Sequence, residues 1–256
     1  MTDRKDTDGD VVHAPHPPLT DYYEHEADRP GWVRRMFDAT ASDYDRIEHL
    51  IAFGSGMRYR CDALLRAGLK PAMRVLDVGT GTGLVARRAA RIVGNPALVT
   101  GIDPSPQMLR NAKLPGGVTL LEGCAERIPF PDRSFDFVSM GYALRHITDL
   151  LVAFGECLRV LKPGGRLCAL EITRPENKIL AALLKAYLRG VVPFLARLTA
   201  RHTETPLLWS YYWDTIESCA PAERVIRTLE AAGFVNVDRH VELKIFSEYR
   251  ADRPLD

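Results

Sequence analysis

The chain has 256 residues, 46% hydrophobic and 26% charged, which is ordinary for a soluble globular protein and enough for one large α/β domain with a real core. A formal net charge of +1 excludes the global basic field of a nucleic-acid binder, and no run of roughly eighteen apolar residues offers a membrane-spanning helix. The five cysteines (61, 124, 157, 168 and 219) are odd in number and form no CxxC pair, which argues against a disulfide framework or a zinc site and fits a reduced cytoplasmic compartment.

Residues 1–28 carry Asp, Pro, His and Thr with little periodicity, and are expected to form a disordered or loosely docked arm ahead of a single domain over 29–256. The opening MTDRKDTDGD lacks the apolar core of a secretory signal. His13, His16 and His25 lie here among acids, where solvated disorder is expected rather than a metal site. Residues 31–67 read as helical. Trp32, Met36 and Phe37, then Ile47, Leu50 and Ile51, recur at helical spacing, and Gly54 and Gly56 interrupt the run before a second helix in RYRCDALLRAG.

The stretch VLDVGTGTG follows. Val75 and Leu76 read as the buried end of a strand that Asp77 closes; Gly79, Gly81 and Gly83 open a tight turn, and LVARRAARIV continues as a helix. A strand, a glycine turn and a helix N-terminus bring bare backbone N–H groups close to a ligand, commonly a nucleotide-like cofactor. Gly94-Asn95-Pro96 ends that helix, and ALVTGID is the second strand, with Asp103 at its tip. A carboxylate there is where ribose hydroxyls need an acceptor. Pro104 and Ser105 start a helix containing Met108. GVTLLEG is the third strand, and SFDFVSMGYALRHITD is the fourth strand with the loop beyond it, at a topological switch point. LLVAFGECLRVL is an amphipathic helix; KPGGRLCALEIT is a turn and fifth strand, with Lys162 to Gly165 as punctuation. In 176–220, two apolar, basic helical segments flank Pro193 and the aromatic cluster WSYYW follows. A last helix and two strands close the chain from APAERVIRTLEAAGF onward.

Four ordered motifs carry a family resemblance. GxGxG, with an acid two residues before its first glycine, resembles motif I of class I S-adenosylmethionine-dependent methyltransferases. FDATASDYDRIEHLIAFG closely resembles the entry segment of the ubiquinone/menaquinone-biosynthesis C-methyltransferases, Leu144-Arg145-His146 stands where that family has Leu-Arg-Asn, and RVLKPGGRL matches as well. The resemblance spans about residues 35–250. It implies an α/β fold: a doubly wound, Rossmann-like, seven-stranded, mostly parallel sheet with an antiparallel last strand, and helical cap elements at 31–67 and 176–220.

The same resemblance implies S-adenosyl-L-methionine as cofactor and assigns its contacts. Tyr44 is expected over the methionine end, Asp77 at the amino group, and Gly79, Thr80, Gly81 and Gly83 where the backbone approaches. Asp103 with Pro104 faces the ribose; Met108, Cys124, Ala125 and Glu126 surround the adenine, and Met140 completes the set. Cys124 departs from the family's Asp or Asn and is a weaker acceptor. The expected acceptor is a small hydrophobic aromatic or quinol-like molecule methylated at ring carbon. Arg145 would stabilise a phenolate, and His146, which titrates near neutrality, is the better base, with Tyr44 as a further catalytic candidate. The structural alternative for Arg145 is an ion pair with Asp149. Tyr142, Tyr187, Trp209, Tyr212 and Trp213 are the expected substrate-binding aromatics.

Two other functions fit: an O- or N-methyltransferase of a small secondary metabolite, which His146 in place of the amide favours, and a cofactor-binding sensor without transfer activity. No nucleic-acid partner is expected. The stretch from Asn177 to Thr203 holds Lys178, Lys185, Arg189, Arg197 and Arg201 and no acid among many apolar residues. It is expected to be a mobile lid over the substrate, with a basic rim for peripheral contact with an anionic membrane; an ordinary helical cap or homodimer face is the alternative.

Overall fold

A computed structural model describes residues 13–51, 56–199 and 205–255. Seven strands form one sheet: β1 Val75–Val78, β2 Val99–Asp103, β3 Thr119–Glu122, β4 Phe135–Gly141, β5 Leu161–Ile172, β6 Val235–Glu242 and β7 Phe246–Asp252, in the order β3-β2-β1-β4-β5-β7-β6. Neighbours β1 to β5 pair in parallel, and β7 runs antiparallel to both β5 and β6. The expected doubly wound sheet with an antiparallel last strand is the fold observed. The strand order reverses at β1, which pairs with β2 on one side and β4 on the other; Asp77 lies level with Gly101 and Ser139.

Nine α-helices surround the sheet among the described residues: α1 Arg29–Ile51, α2 Gly56–Arg66, α3 Ala86–Val93, α4 Pro106–Arg110, α5 Leu150–Val160, α6 Lys178–Ala186, α7 Val192–Thr199, α8 Thr205–Ser218 and α9 Ala222–Ala231; a π turn over Tyr187–Val191 joins α6 to α7. The strands are apolar on both faces, as buried parallel strands must be. Leu76, Val78, Val138, Leu167 and Ala169 pack beneath α5 and α9. Val75, Phe137, Cys168 and Leu170 pack on the other face beneath α2 and α3. The ends of these helices follow local chemistry. Gly94 takes the left-handed conformation after α3, and the carboxylate of Asp149 caps α5 by accepting from the Leu151 and Val152 N–H groups at 2.8 and 3.2 Å.

Pro193 does not separate two helices. It lies in the first turn of α7, where its missing N–H is tolerated, and the π turn makes the run through α6 and α7 continuous. Lys162 to Gly165 lie within β5 and not in a turn before it; a register shift against β4 takes up the irregularity. Of the arm expected over 1–28, residues 1–12 lie outside the described residues. The rest makes specific contacts: the Leu150 and Ala220 N–H groups donate to the carbonyls of His13 and Pro15, and the Tyr22 hydroxyl donates to Asp214. Tyr23 and His16 are buried.

Candidate active site

The carboxyl ends of β1, β2 and β4 open into a cavity of about 550 Å³. This lies within the size range of small-molecule sites. Its floor is the glycine turn. Gly79 has φ +65°, and a Cβ there would lie 2.5 Å from the Ala143 Cβ, so both the backbone and the neighbour demand glycine. Gly81 has φ +55° with nothing within 4 Å of its Cβ position; a side chain there would enter the cavity. Gly83 also has positive φ but faces Leu114 and does not line the cavity.

Asp77 stands behind this turn. Its carboxylate accepts from Thr80 Oγ1 at 2.7 Å, Ser139 Oγ at 2.6 Å and the Ala86 N–H at 3.1 Å, tying β1 to β4 and to the start of α3. Burial pushes its pKa up to about 6 against these hydrogen bonds. The side chain does not line the cavity, and its hydrogen bonds order the turn. Asp103 does reach the wall. Its two oxygens accept from the Gly81 and Ser105 N–H groups, each at 2.8 Å, and burial lifts its pKa to about 6. A carboxylate oxygen has two lone pairs, so each retains capacity to accept from a diol.

Thr80, Pro104, Met108, Cys124, Ala125 and Glu126 join Asp103 along the same side. Met108 is held by α4, whose first turn is capped by Ser105. Glu126 also accepts from the Thr148 N–H at 2.7 Å, which connects this side to the loop after β4. Met140 is fully buried in β4 between Val78 and Ala169 and lies behind the wall.

The opposite wall is aromatic. Phe37 and Tyr44 from α1, Tyr142 after β4 and His146 line it. Tyr44 stacks on Trp209 with ring centres 6.1 Å apart and planes 19° apart. His146 lies edge-on to Phe37 and stacks on Tyr211. Its Nδ1 lies 3.5 Å from the Tyr211 hydroxyl, and its buried Nε2 has no partner. Burial, then the charge of Arg145, holds the His146 imidazole well below its usual pKa, so it is neutral at pH 7. His146 therefore does not titrate near neutrality as expected, and its depressed pKa makes it a weaker base than a free imidazole. Its unpartnered Nε2 accepts a proton in the tautomer that carries its hydrogen on Nδ1.

Arg145 does not line the cavity. It is fully buried, ion-paired to Glu171, 3.2 Å from Thr215 Oγ1 and 4.4 Å above the Tyr212 ring. Its expected alternative partner, Asp149, caps α5 instead. Trp209 and Tyr212 stand behind Tyr44 and His146. Tyr187 and Trp213 belong to the apolar cluster that joins α8 to the π turn and α7. None of these four lines the cavity. Nor does the segment expected as a lid: Leu184 packs into the same cluster, and Phe194 is 59% exposed. The roof is α1, which contributes Pro30, Val33, Arg34, Phe37 and Tyr44. It is anchored by Asp38, which accepts from Ser105 Oγ at 2.6 Å, and by Asp45, which accepts from Thr82. Sequence reasoning missed Phe37, flagged only as a helix-face apolar residue, and Arg60, one base in a basic helix with no distinguishing spacing. Of the basic residues expected at a membrane rim, Lys185 and Arg189 pair with Glu217 and Asp214 of α8, and Arg201 lies outside the described residues.

Among the described residues, one cluster has the donor set for a metal ion: His240, Glu242 and Glu248. The Arg66 guanidinium already bridges both glutamates, at 3.3 and 2.5 Å. No described helix is long and apolar enough to cross a membrane.

Comparison with known proteins points to one family. The model of the ubiE/COQ5 methyltransferase family matches residues 23–243. A demethylmenaquinone methyltransferase of Chlorobaculum tepidum is 38% identical over 208 residues, covering 79% of this chain and 84% of the relative. A ubiquinone/menaquinone biosynthesis C-methyltransferase of Shewanella halifaxensis is 30% identical over 213 residues, covering 80% and 84%. A solved S-adenosylmethionine-dependent methyltransferase of Thermotoga maritima, described as a possible histamine N-methyltransferase, superposes with a TM-score of 0.60 at 22% identity over 86% of this chain and 99% of its own; at that identity it supports the fold alone.

Proposed function

The chain belongs to the ubiE/COQ5 methyltransferase family, and from that premise we propose that it methylates a ring carbon of a small, hydrophobic, quinol-like acceptor. It is an S-adenosylmethionine-dependent methyltransferase. When bound, the cofactor supplies a methyl group made electrophilic by its sulfonium. The cavity fits it: open space at Gly81, a glycine-only approach at Gly79, and a carboxylate at Asp103 with lone pairs to spare. In this reading Asp103 and Pro104 hold the ribose, and Met108, Cys124, Ala125 and Glu126 hold the adenine. Thr80 and the turn glycines would carry the methionine portion, with Tyr44 over that methionine end. Asp77, Gly83 and Met140 act from behind, by fixing the turn.

The observation that carries the chemistry is His146. Its unpartnered Nε2, on a side chain that lines the cavity, accepts the proton of a ring hydroxyl, which places negative charge on the ring and makes the adjacent carbon a nucleophile. The resulting imidazolium lies against the phenolate it created. As the ring carbon takes the methyl group, the methyl–sulfur bond breaks. The ring carbon then loses its hydrogen to solvent as a proton, which restores the aromatic ring, and the imidazolium returns its proton to the oxygen. Phe37, Tyr44 and Tyr142 hold the ring, exclude water and fix its attack angle; such positioning supplies roughly 7–11 kcal/mol in favourable cases. Arg145 and Glu171 fix the loop that presents His146, and Trp209, Tyr212, Trp213 and Tyr187 brace the aromatic wall. Incubation with methyl-labelled cofactor and a panel of quinols, simple phenols and amines tests the reading. Label in a carbon–methyl bond of a quinol supports it. Transfer only to oxygen or nitrogen would favour the secondary-metabolite alternative, and tight binding without any transfer would favour a sensor.

A hydrophobic acceptor also accounts for the surface of α6 and α7. Ile179 and Leu183 are 73% and 63% exposed, with Val191, Phe194 and Leu195 continuing the strip and Lys178 and Arg197 at its two ends. This strip rests on an anionic membrane surface, each exposed base at its ends contributing about 1 kcal/mol. Flotation with anionic vesicles at low salt and release at high salt is the expected result. A stable dimer in solution that fails to float at any salt would assign the strip to a dimer face instead.

A further inference from the structure

Arg60 is a buried cation on the cavity wall with no assigned task. It projects from α2, is only 4% exposed, and lines the cavity beside Gly79, Tyr44 and Tyr142. One of its nitrogens, Nη2, is paired with Glu48 at 2.8 Å. The other two, Nε and Nη1, have no partner. Its guanidinium lies 5.1 Å above the ring of Tyr142, a residue forced to φ +60° at the end of β4. A non-glycine aromatic at positive φ is strained, and such strain persists where the surroundings over-determine it. A guanidinium sealed from water with unused donors is costly to leave so. The other arginine on the wall, Arg34, is half exposed and already paired with Glu122 at 3.0 Å. Arg60 is therefore the described cation left to meet an anion inside the cavity.

We propose that Arg60, backed by Glu48 and Tyr142, is the recognition site for the carboxylate of the cofactor's amino-acid tail. This rests on the reading of the cavity as an S-adenosylmethionine site. The two ends of the ligand then meet opposite charges: a diol that donates to Asp103, and a carboxylate that accepts from Arg60. Charge-assisted hydrogen bonds of this kind are the strong ones, and here they form in a dry site. Glu48 keeps the guanidinium in place when the cavity opens to water, so the site is pre-formed before the cofactor arrives.

The test compares two ligands by calorimetry: S-adenosylhomocysteine, which carries the amino-acid tail, and 5′-methylthioadenosine, which shares the adenosine and sulfur but has no carboxylate. Arg60→Met should weaken S-adenosylhomocysteine about ten- to a hundredfold and leave methylthioadenosine within about twofold. Arg60→Lys keeps the charge and should recover part of the loss; it also carries the test if the methionine variant fails to fold. Equal weakening of both ligands overturns the proposal, because it would make Arg60 a packing residue. Unchanged affinity for both overturns it as well. A wild-type protein that binds neither ligand overturns the cofactor reading itself, a result distinct from either.

Discussion

The two walls of the cavity are built by different means. The strand wall is made of short consecutive stretches: Gly79 to Gly81 after β1, Asp103 and Pro104 after β2, Cys124 to Glu126 after β3. Its hydrogen bonds are largely to backbone, as where Asp103 accepts from Gly81 and Ser105. The helical wall is made of side chains from distant segments. Tyr44 leans on Trp209, His146 on Tyr211, and Arg145 on Glu171 and Thr215. A cofactor common to many enzymes can be met by a backbone cradle, whereas an acceptor particular to one enzyme is met by side chains. The strand wall, together with Arg60, should therefore control affinity for cofactor, and His146 with its aromatic supports should control turnover.

The largest effect expected from this division is at His146. His146→Ala should lower turnover by about a hundred- to ten-thousandfold while affinity for S-adenosylhomocysteine stays near wild type. Steady-state kinetics beside calorimetry read both, and a parallel loss of affinity would erase the distinction between the walls.

This contrast also explains what could be read from the chain alone. The strands β1 to β5 and the glycine turn were legible because each depends on local signals, namely buried strand runs, glycines at fixed offsets and an acid at a strand tip, whereas the doubly wound sheet and its antiparallel last strand came from the family resemblance. Arg145 stood out in the sequence for its place in a loop, yet its partner Glu171 sits one strand away on β5 and no spacing announces it. Arg60 is one of four arginines between Arg58 and Arg74, and only the fold makes it the buried one. Lys185 and Arg189 looked like a free basic rim because their acids lie on α8, outside the acid-free stretch from Asn177 to Thr203. The roof was expected from 176–220 as well as from α1, but the aromatic cluster on α8 packs against α1 from behind and leaves the roofing to Phe37 and Tyr44.

The next effect down tests the support of the helical wall. Glu171→Gln leaves the buried Arg145 uncompensated and should cost about 3–5 kcal/mol of stability, read by chemical denaturation. Arg145→Met combined with Glu171→Leu should cost less than the single change, since it removes both charges. An additive result would mean the two residues do not act as a pair.

On the strand wall, Asp103→Ala should weaken S-adenosylhomocysteine by about 1.5–3 kcal/mol without a change in the pH dependence that His146 imposes on turnover. Unchanged affinity would remove Asp103 from the cofactor site.

The smallest effect concerns the N-terminal segment that packs behind the helical wall. Burial holds His16 at a pKa of about 4, below the 6.5 of an exposed histidine. The unfolded chain therefore binds this proton first as pH falls, so the contribution of His16 to stability is present above about 6.5 and is lost progressively toward 4. His16→Gln removes that dependence. Relative to wild type, the variant should gain about 2–3 kcal/mol between pH 7 and pH 4 in denaturant titrations. A constant difference across that range would place His16 in water.

The division between the walls is tested most directly by a structure of the ternary complex with S-adenosylhomocysteine and a demethylated quinol. The account predicts the ribose on Asp103, the adenine beside Met108 and Ala125, and a hydroxyl of the acceptor ring within hydrogen-bond reach of His146 Nε2, with an unsubstituted ring carbon facing the sulfur. An acceptor lodged elsewhere, or one whose hydroxyls turn away from His146 while the sulfur faces oxygen or nitrogen, would contradict it.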